Sequence, residues 1–343
     1  MNPREELVSL MRGFFATPIL TVLGKRGILD KFLKGNVSIK DFGSEDSILK
    51  MKRVFSYLSS IGLINILDPI SETYVITELG KKIFKRFGSL VLLYSYRDMI
   101  SNVDSLIFSN NFPFPKCDRL DNVIGSGLTN GRKFFPVGIE AINHLNVSVI
   151  ADLCCGNGEF IRQVHQKFPD VTAFAGDLSE VAINETIRNL SDTAPTLKVF
   201  PNQADVLDCE KWISNLNSVI DKNQEGDVII SMWYLLHEVS NYCVENVVSL
   251  LKKIHSRLPK AHLLIGEIVK IPEEVLSNYR ASSIMPEFIL FHDFSGQGIL
   301  TWEQYQEVIK NIPYKLTYER KLDVITTDNG EIPSAIVWLL EPC

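Results

Sequence analysis

The run Asp152-Leu-Cys-Cys-Gly-Asn-Gly158 is the first part of the sequence whose residue types and spacing could do chemistry. It follows the apolar stretch 147–153 and precedes a helical pattern over 159–167. Glycine allows close backbone approach to a ligand, and a helix N-terminus presents free N–H groups. A dinucleotide site would require G-x-G-x-x-G to receive a pyrophosphate. Only Gly156 and Gly158 are present here, with an acid four residues before the first. Asp177 ends the next strand-like run, 25 residues after Asp152, and Asp205 ends the one after it. Carboxylates at Asp177 and Asp205 could accept hydrogen bonds from the hydroxyl or amino groups of a ligand lying along this edge. Cys154, Leu178 and Val206 complete the expected cofactor contacts. A single strand-end Asp often only caps a helix; three at successive strand ends point to a shared ligand.

A second group of residues belongs to the same sheet edge. The strand-like run from Asp227 delivers His237 and Glu238 close to its carboxyl end, and the run from His262 delivers Glu267. Open α/β sheets bind substrates at that edge. His292 follows an apolar helical stretch and opens a glycine-containing loop. Arg97 and Arg132 are the basic residues considered for gripping a substrate carboxylate. His144, His165, His255 and His262 are read as structural or solvated.

These residues need an α/β framework. Strand and helix patterns alternate from residue 147: strands over 147–153, 172–177, 197–202, 227–233 and 262–269, with helices over 159–167, 180–190 and 243–258. This is a βαβ series with a parallel sheet. Two late strands, 314–324 and 335–340, lack a crossover helix and pair antiparallel at one edge. The first hundred residues read as helix, turn, helix and two wing strands, the winged-helix pattern. The segment between is aromatic (Tyr94, Tyr96, Phe108, Phe112, Phe114, Phe134, Phe135) with prolines at 113, 115 and 136, as in the roof of a small-molecule pocket. The stretch 122–132 carries three glycines and could form a phosphate-type loop, although it departs from Walker spacing. The expected domains are 1–98, winged helix; 99–145, helical linker and roof; and 146–343, cofactor-binding.

The chain has 343 residues, 45% hydrophobic and 22% charged, with net charge −6. The acidic balance argues against nucleic acid as a partner, which would need basic surface. Six cysteines without a C-x-x-C pair argue against a zinc ribbon and suggest a reducing compartment. The N-terminus lacks the apolar core of a signal peptide, and no uninterrupted apolar run approaches 18 residues. A cytoplasmic protein with no membrane partner is expected.

The acid–GxG loop with its two downstream acids is similar to the S-adenosylmethionine (SAM) site of class I Rossmann-like methyltransferases. Together with the winged helix and His237, most of the chain resembles the small-molecule methyltransferases that include plant and bacterial O-methyltransferases. There the histidine usually reads His-Asp-Trp and acts as general base, assisted by a glutamate on the next strand; here the run is His237-Glu238-Val239. A closer resemblance is to bacterial metal-dependent α-keto acid C-methyltransferases of the phenylpyruvate or 2-ketoarginine type. It rests on Pro286-Glu-Phe-Ile-Leu-Phe-His292-Asp-Phe-Ser-Gly-Gln297, Val123-Ile-Gly-Ser-Gly127 and Gly131-Arg-Lys-Phe-Phe-Pro136. It implies that His237 and His292, with Glu267 as a third ligand, hold a divalent or ferric metal (iron, zinc or nickel). Such a cation would chelate a 2-keto acid and stabilise its enolate for β-carbon methylation. Glu238 would serve as base or hold a metal-bound water. It also implies a homodimer formed through the N-terminal domain. Two alternatives stand beside this reading: a metal-independent O-methyltransferase with His237 as general base, and a SAM-responsive winged-helix regulator.

Overall fold

A computed structural model describes residues 2–109, 117–222, 225–278, 285–327 and 330–343. Phe112, Pro113, Phe114 and Pro115 of the aromatic segment lie outside them. The chain forms two compact units, Met1–Ser95 with Ile124–Thr129, and Tyr96–Val123 with Asn130–Cys343.

The first unit begins with the helix Pro3–Lys25, where the Asn2 side chain accepts from the Arg4 N–H at 3.1 Å. An N-cap of this kind is worth about 1 kcal/mol. This helix is long and apolar enough to cross a membrane by length and composition, with mean hydropathy 1.6 over its best window and 22% of that window buried. Its charges interrupt any continuous apolar run. Next come the helix Ile28–Lys34, strand β1 (Val37–Ser38) and the helix Glu45–Ser60. Strands β2 (Ile64–Asp68) and β3 (Thr73–Ile76) form the wing, with β3 central in a sheet ordered β1-β3-β2. Phe32, Phe55, Tyr74 and Phe84 interlock in its core at ring separations of 5.1–6.0 Å. The wing was legible in sequence; two-residue β1 was not.

The glycine-bearing stretch 122–132 is helical, part of Arg119–Lys133, which corrects the phosphate-loop expectation. Its glycines serve packing: a Cβ at Gly125 would lie 2.3 Å from the Leu92 backbone nitrogen.

The second unit is built on a seven-stranded sheet. Its strands are β4 (Val147–Leu153), β5 (Thr172–Asp177), β6 (Lys198–Gln203), β7 (Asp227–Trp233), β8 (His262–Ile268), β9 (Tyr314–Thr327) and β10 (Gly330–Pro342). They are ordered β6-β5-β4-β7-β8-β10-β9. The first five are parallel, while β10 runs antiparallel between β8 and β9. Two apolar layers cover the sheet. One contains Trp212, Leu216, Leu251, Tyr305 and Trp338, and the other Phe135, Phe160, Ile161 and Val164. Each large side chain so buried contributes roughly 1.5–3 kcal/mol. The helices Cys209–Ile220 and Trp302–Lys310 supply Trp212 and Tyr305 and were not anticipated. The chain leaves β4 toward β5 and β6, then returns to β7 on the other side of β4. That reversal opens a crevice at the carboxyl ends of β4 and β7. Trp233 and Gly266 are paired across β7 and β8, and a Cβ on Gly266 would lie 2.0 Å from the indole.

Candidate active site

The acid–GxG loop sits at this crevice. Cys154, Gly156 and Gly158 take positive φ values of 69°, 59° and 73°, turning the backbone sharply between β4 and the helix Glu159–Lys167. A Cβ on Gly156 would meet nothing closer than Val123 at 3.8 Å, so space remains above the loop for a ligand. Gly158 has no such room, since a Cβ there would lie 2.9 Å from Thr186. Asp177 is 3% exposed and accepts from Ser179 N–H at 2.9 Å and Gly156 N–H at 3.2 Å, tying β5 to the loop. Burial raises its pKa against the pull of these N–H groups and of Arg119. Asp152 is 2% exposed, and Ser231 Oγ donates to its Oδ1 at 2.7 Å. Burial lifts its pKa to about 7, opposed by that hydrogen bond. Asp205 and Leu178 are exposed, Val206 half-buried, and Asp205 Oδ1 accepts from Leu207 N–H at 2.9 Å. Burial pushes the thiols of Cys154 and Cys155 well up, which keeps them from acting as thiolate nucleophiles.

The strongest constellation is His237 with Glu267. After β7 the chain turns through Tyr234 at φ 55° into the short helix Leu236–Ser240, placing His237 over the end of β8. The His237 Nδ1–H donates to Glu267 Oε1 at 2.8 Å. Ile268 N–H donates to the same oxygen at 2.8 Å. Glu267 Oε2 accepts from Leu236 N–H at 2.8 Å and His237 N–H at 3.3 Å. Four donors therefore surround a fully buried carboxylate. It fixes both the imidazole tautomer and the helix that carries it, leaving His237 Nε2 as the reactive lone pair. Burial lowers the His237 pKa, but the Glu267 charge and hydrogen bond, with Glu238, outweigh it and leave it raised.

His292 faces this group, its ring centroid 5.0 Å from that of His237. It lies within the helix Met285–Ser295 rather than at a loop opening, and its Nδ1–H donates to the Phe288 carbonyl at 2.6 Å. Its Nε2 also carries a lone pair. Burial and the neighbouring His237 hold its pKa down to about 3, so the ring is neutral. Tyr96 stacks on Phe291 at 5.3 Å and lies 6.4 Å from His292. The two histidine-bearing segments are tied by Ser240 to the Gly298 carbonyl, and by Tyr242 OH to Asp293 at 3.0 Å. Gln297 Nε2 reaches Glu238 at 3.4 Å.

Arg119 is a site residue that sequence reasoning missed. Its guanidinium lies 3.8 Å from Asp177 and 4.0 Å from Glu238, bridging the acid at the end of β5 and the histidine edge. The two arginines singled out in sequence stand elsewhere. Arg97 is held by Asp118 and, at 2.8 Å, by Asp121, while Arg132 is exposed on its helix. No group of three or more His, Cys, Asp or Glu side chains with metal-ligand geometry occurs among the described residues. Both Glu267 oxygens are occupied by N–H donors, so the structure gives this residue an orienting place and no free lone pair facing His292.

Comparison with known proteins agrees with this layout at the level of fold. Residues 12–110 match the family model of the AprA winged helix domain. A solved O-methyltransferase family protein from Burkholderia thailandensis superposes with TM-score 0.64 at 13% identity, covering 100% of this chain and 98% of that one. Human N-acetylserotonin methyltransferase, solved with SAM, gives 0.60 at 11% identity and covers 100% and 98%. The N,N-8-amino-8-demethyl-D-riboflavin dimethyltransferase of Streptomyces davawensis gives 0.55 at 12%, covering each chain completely. No curated protein sequence matches. The chain has the Rossmann-like fold of these methyltransferases behind a winged-helix domain.

Proposed function

We propose that the protein is a SAM-dependent methyltransferase that methylates a hydroxyl of a small molecule, with His237 as general base. The observation that carries this reading is the buried His237–Glu267 pair at the crevice beside the glycine loop. The loop fits SAM: open space lies above Gly156, and Asp177 and Asp152 stand at adjacent strand ends, suited to ribose hydroxyls and an ammonium group. When bound there, SAM supplies an electrophilic methyl group. His237 Nε2 takes the acceptor proton, and the Glu267 carboxylate stabilises the resulting imidazolium. Positioned bases of this kind contribute about 10²–10⁴-fold. Arg119 is placed to hold an anionic group of the acceptor. Similarity to O-methyltransferases supports the class; the riboflavin-type enzyme shows that the same fold also serves nitrogen acceptors.

A second reading rests on His292. Both histidines donate through Nδ1, as metal-bound histidines do, which leaves Nε2 lone pairs on neighbouring rings 5.0 Å apart at 72°. They would hold a divalent or ferric ion that acts as a Lewis acid on a chelating 2-keto acid, and the transfer would then be to carbon. A SAM-consumption assay on phenolic and 2-keto acid acceptors, with and without chelator, separates the two. Chelator-resistant turnover lost in His237→Ala and retained in His292→Ala supports the base reading; turnover abolished by chelation and by either substitution supports the metal. No turnover of SAM with any acceptor, and no SAM binding, would reject both.

We also propose a homodimer. The helix Pro3–Lys25 exposes Leu7, Leu10, Met11, Phe14 and Phe15, and clustered exposed apolar side chains of this kind mark interaction surfaces. Light scattering showing a monomer at micromolar concentration would contradict this.

A further inference from the structure

Asp152 is more isolated than its neighbour Asp177. It is buried at the end of β4, and the Ser231 hydroxyl is its one hydrogen-bond donor among the described residues. Ser231 is itself fully buried in β7, directly across the ladder from Asp152. The titratable groups that act on Asp152 are Asp177 on β5, of like charge, and the Cys155 thiol in the loop. Arg119, the cation beside the neighbouring Asp177, is engaged toward Asp177 and Glu238. A buried carboxylate without a cation prefers its protonated form. A bound ammonium group reverses that preference. The serine engages Oδ1, and no donor among the described residues engages Oδ2.

We propose that Ser231 is a positioning residue for the cofactor, which aims Asp152 at the ligand's ammonium group and thereby makes capture of the amino-acid end of SAM release a proton from Asp152. The proposal rests on the SAM reading above. The proton balance is simple. Below neutrality Asp152 is a carboxylic acid; ligand binding forms a carboxylate–ammonium pair, and the acid proton passes to solvent. With half-protonation near pH 7 in the free protein, affinity rises with pH until the carboxyl is fully ionised. The expected tightening between pH 6.0 and 7.5 is roughly eightfold for a ligand whose amino group keeps its proton across that range. Losing a hydrogen bond to a charged group also weakens binding, by about tenfold.

The test is calorimetric titration of the whole protein with S-adenosylhomocysteine at pH 6.0, 6.5, 7.0 and 7.5, in buffers of different ionisation enthalpy. The wild type should tighten roughly eightfold and release close to one proton at pH 6.0. Ser231→Ala should bind about tenfold more weakly at pH 7.5, with its pH dependence moved upward. Ser231→Thr, which keeps the hydroxyl, should recover the wild-type profile. Asp152→Asn, which needs no ionisation, should lose the pH dependence. Flat affinity with no proton release in the wild type, or an unchanged slope in Asp152→Asn, overturns the inference while leaving SAM binding standing. Absence of binding at every pH overturns the inference together with the SAM reading.

Discussion

Replacing Glu267 by Gln changes one oxygen to an NH₂ group at nearly constant shape, yet this carboxylate accepts four hydrogen bonds. In either amide orientation the NH₂ meets two N–H donors. They are either those of Leu236 and His237, or the Ile268 amide and the His237 ring. Each buried donor left unpaired costs about 1–3 kcal/mol, so the helix carrying His237 loosens by roughly 2–6 kcal/mol locally. The catalytic consequence is larger than a packing defect, because in either orientation the imidazole loses the charge that stabilises its protonated form, and in the second it also loses the acceptor that fixes its tautomer. We expect kcat to fall roughly 10²–10³-fold. The pH profile carries the sign. Burial lowers the His237 pKa, while Glu267 raises it above the ordinary value. Removing the carboxylate leaves burial opposed by Glu238 alone, so the acid limb of kcat/KM moves to lower pH as the plateau drops. The assay is SAM turnover from pH 5.5 to 9 on both proteins, with S-adenosylhomocysteine affinity as a control that should not change. A plateau within about threefold of wild type, with the acid limb unmoved, would refute the base reading, since the loss asked of this group is at least 10²-fold.

Three further outcomes are expected. Asp152→Asn should stabilise the ligand-free protein. The folded acid binds its proton more tightly than the unfolded one, so its burial penalty grows as pH rises from about 4 to 7 and is complete above. Denaturant unfolding at pH 8 should show a gain of at most about 4 kcal/mol, vanishing at pH 4, and equal stabilities at both pH values would sink the argument. Arg119→Ala should raise the acceptor KM about tenfold with a smaller change in kcat, whereas Arg132→Ala should leave both within about twofold; steady-state kinetics decide, and equal effects would remove Arg119 from the site. Gly266→Ala puts a methyl group 2.0 Å from the Trp233 ring and should cost at least about 1–3 kcal/mol in the denaturant midpoint, partly recovered with Trp233→Leu.

Much of the second unit could be read from residue order. β4, β5 and β7 fall within their expected bounds, because apolar runs between glycine and acid breaks leave a buried strand few other places to go. The pairing of His237 with Glu267 was legible as a shared sheet edge, but the four bonds that give Glu267 its orienting place depend on a turn at Tyr234 that no periodicity announces. Arg119 was invisible for a different reason. A lone arginine at a helix start carries no pattern, and only the folded chain sets it between Asp177 and Glu238. The glycines of 122–132 misled because composition cannot distinguish a loop from a helix whose missing side chains let another backbone approach.

Trp233 and Gly266 face each other across β7 and β8, one residue before Glu267 and four before His237. The indole fills the space where any side chain on its partner would stand. It therefore works as a detent: sliding β8 by two residues in either direction would bring Leu264 or Ile268 under the ring, where neither fits. The spacing between His237 and Glu267 is thus gauged by an absent side chain. A change at position 266, which has no chemistry of its own, would be expressed as a misaligned His237–Glu267 pair rather than as a lost functional group.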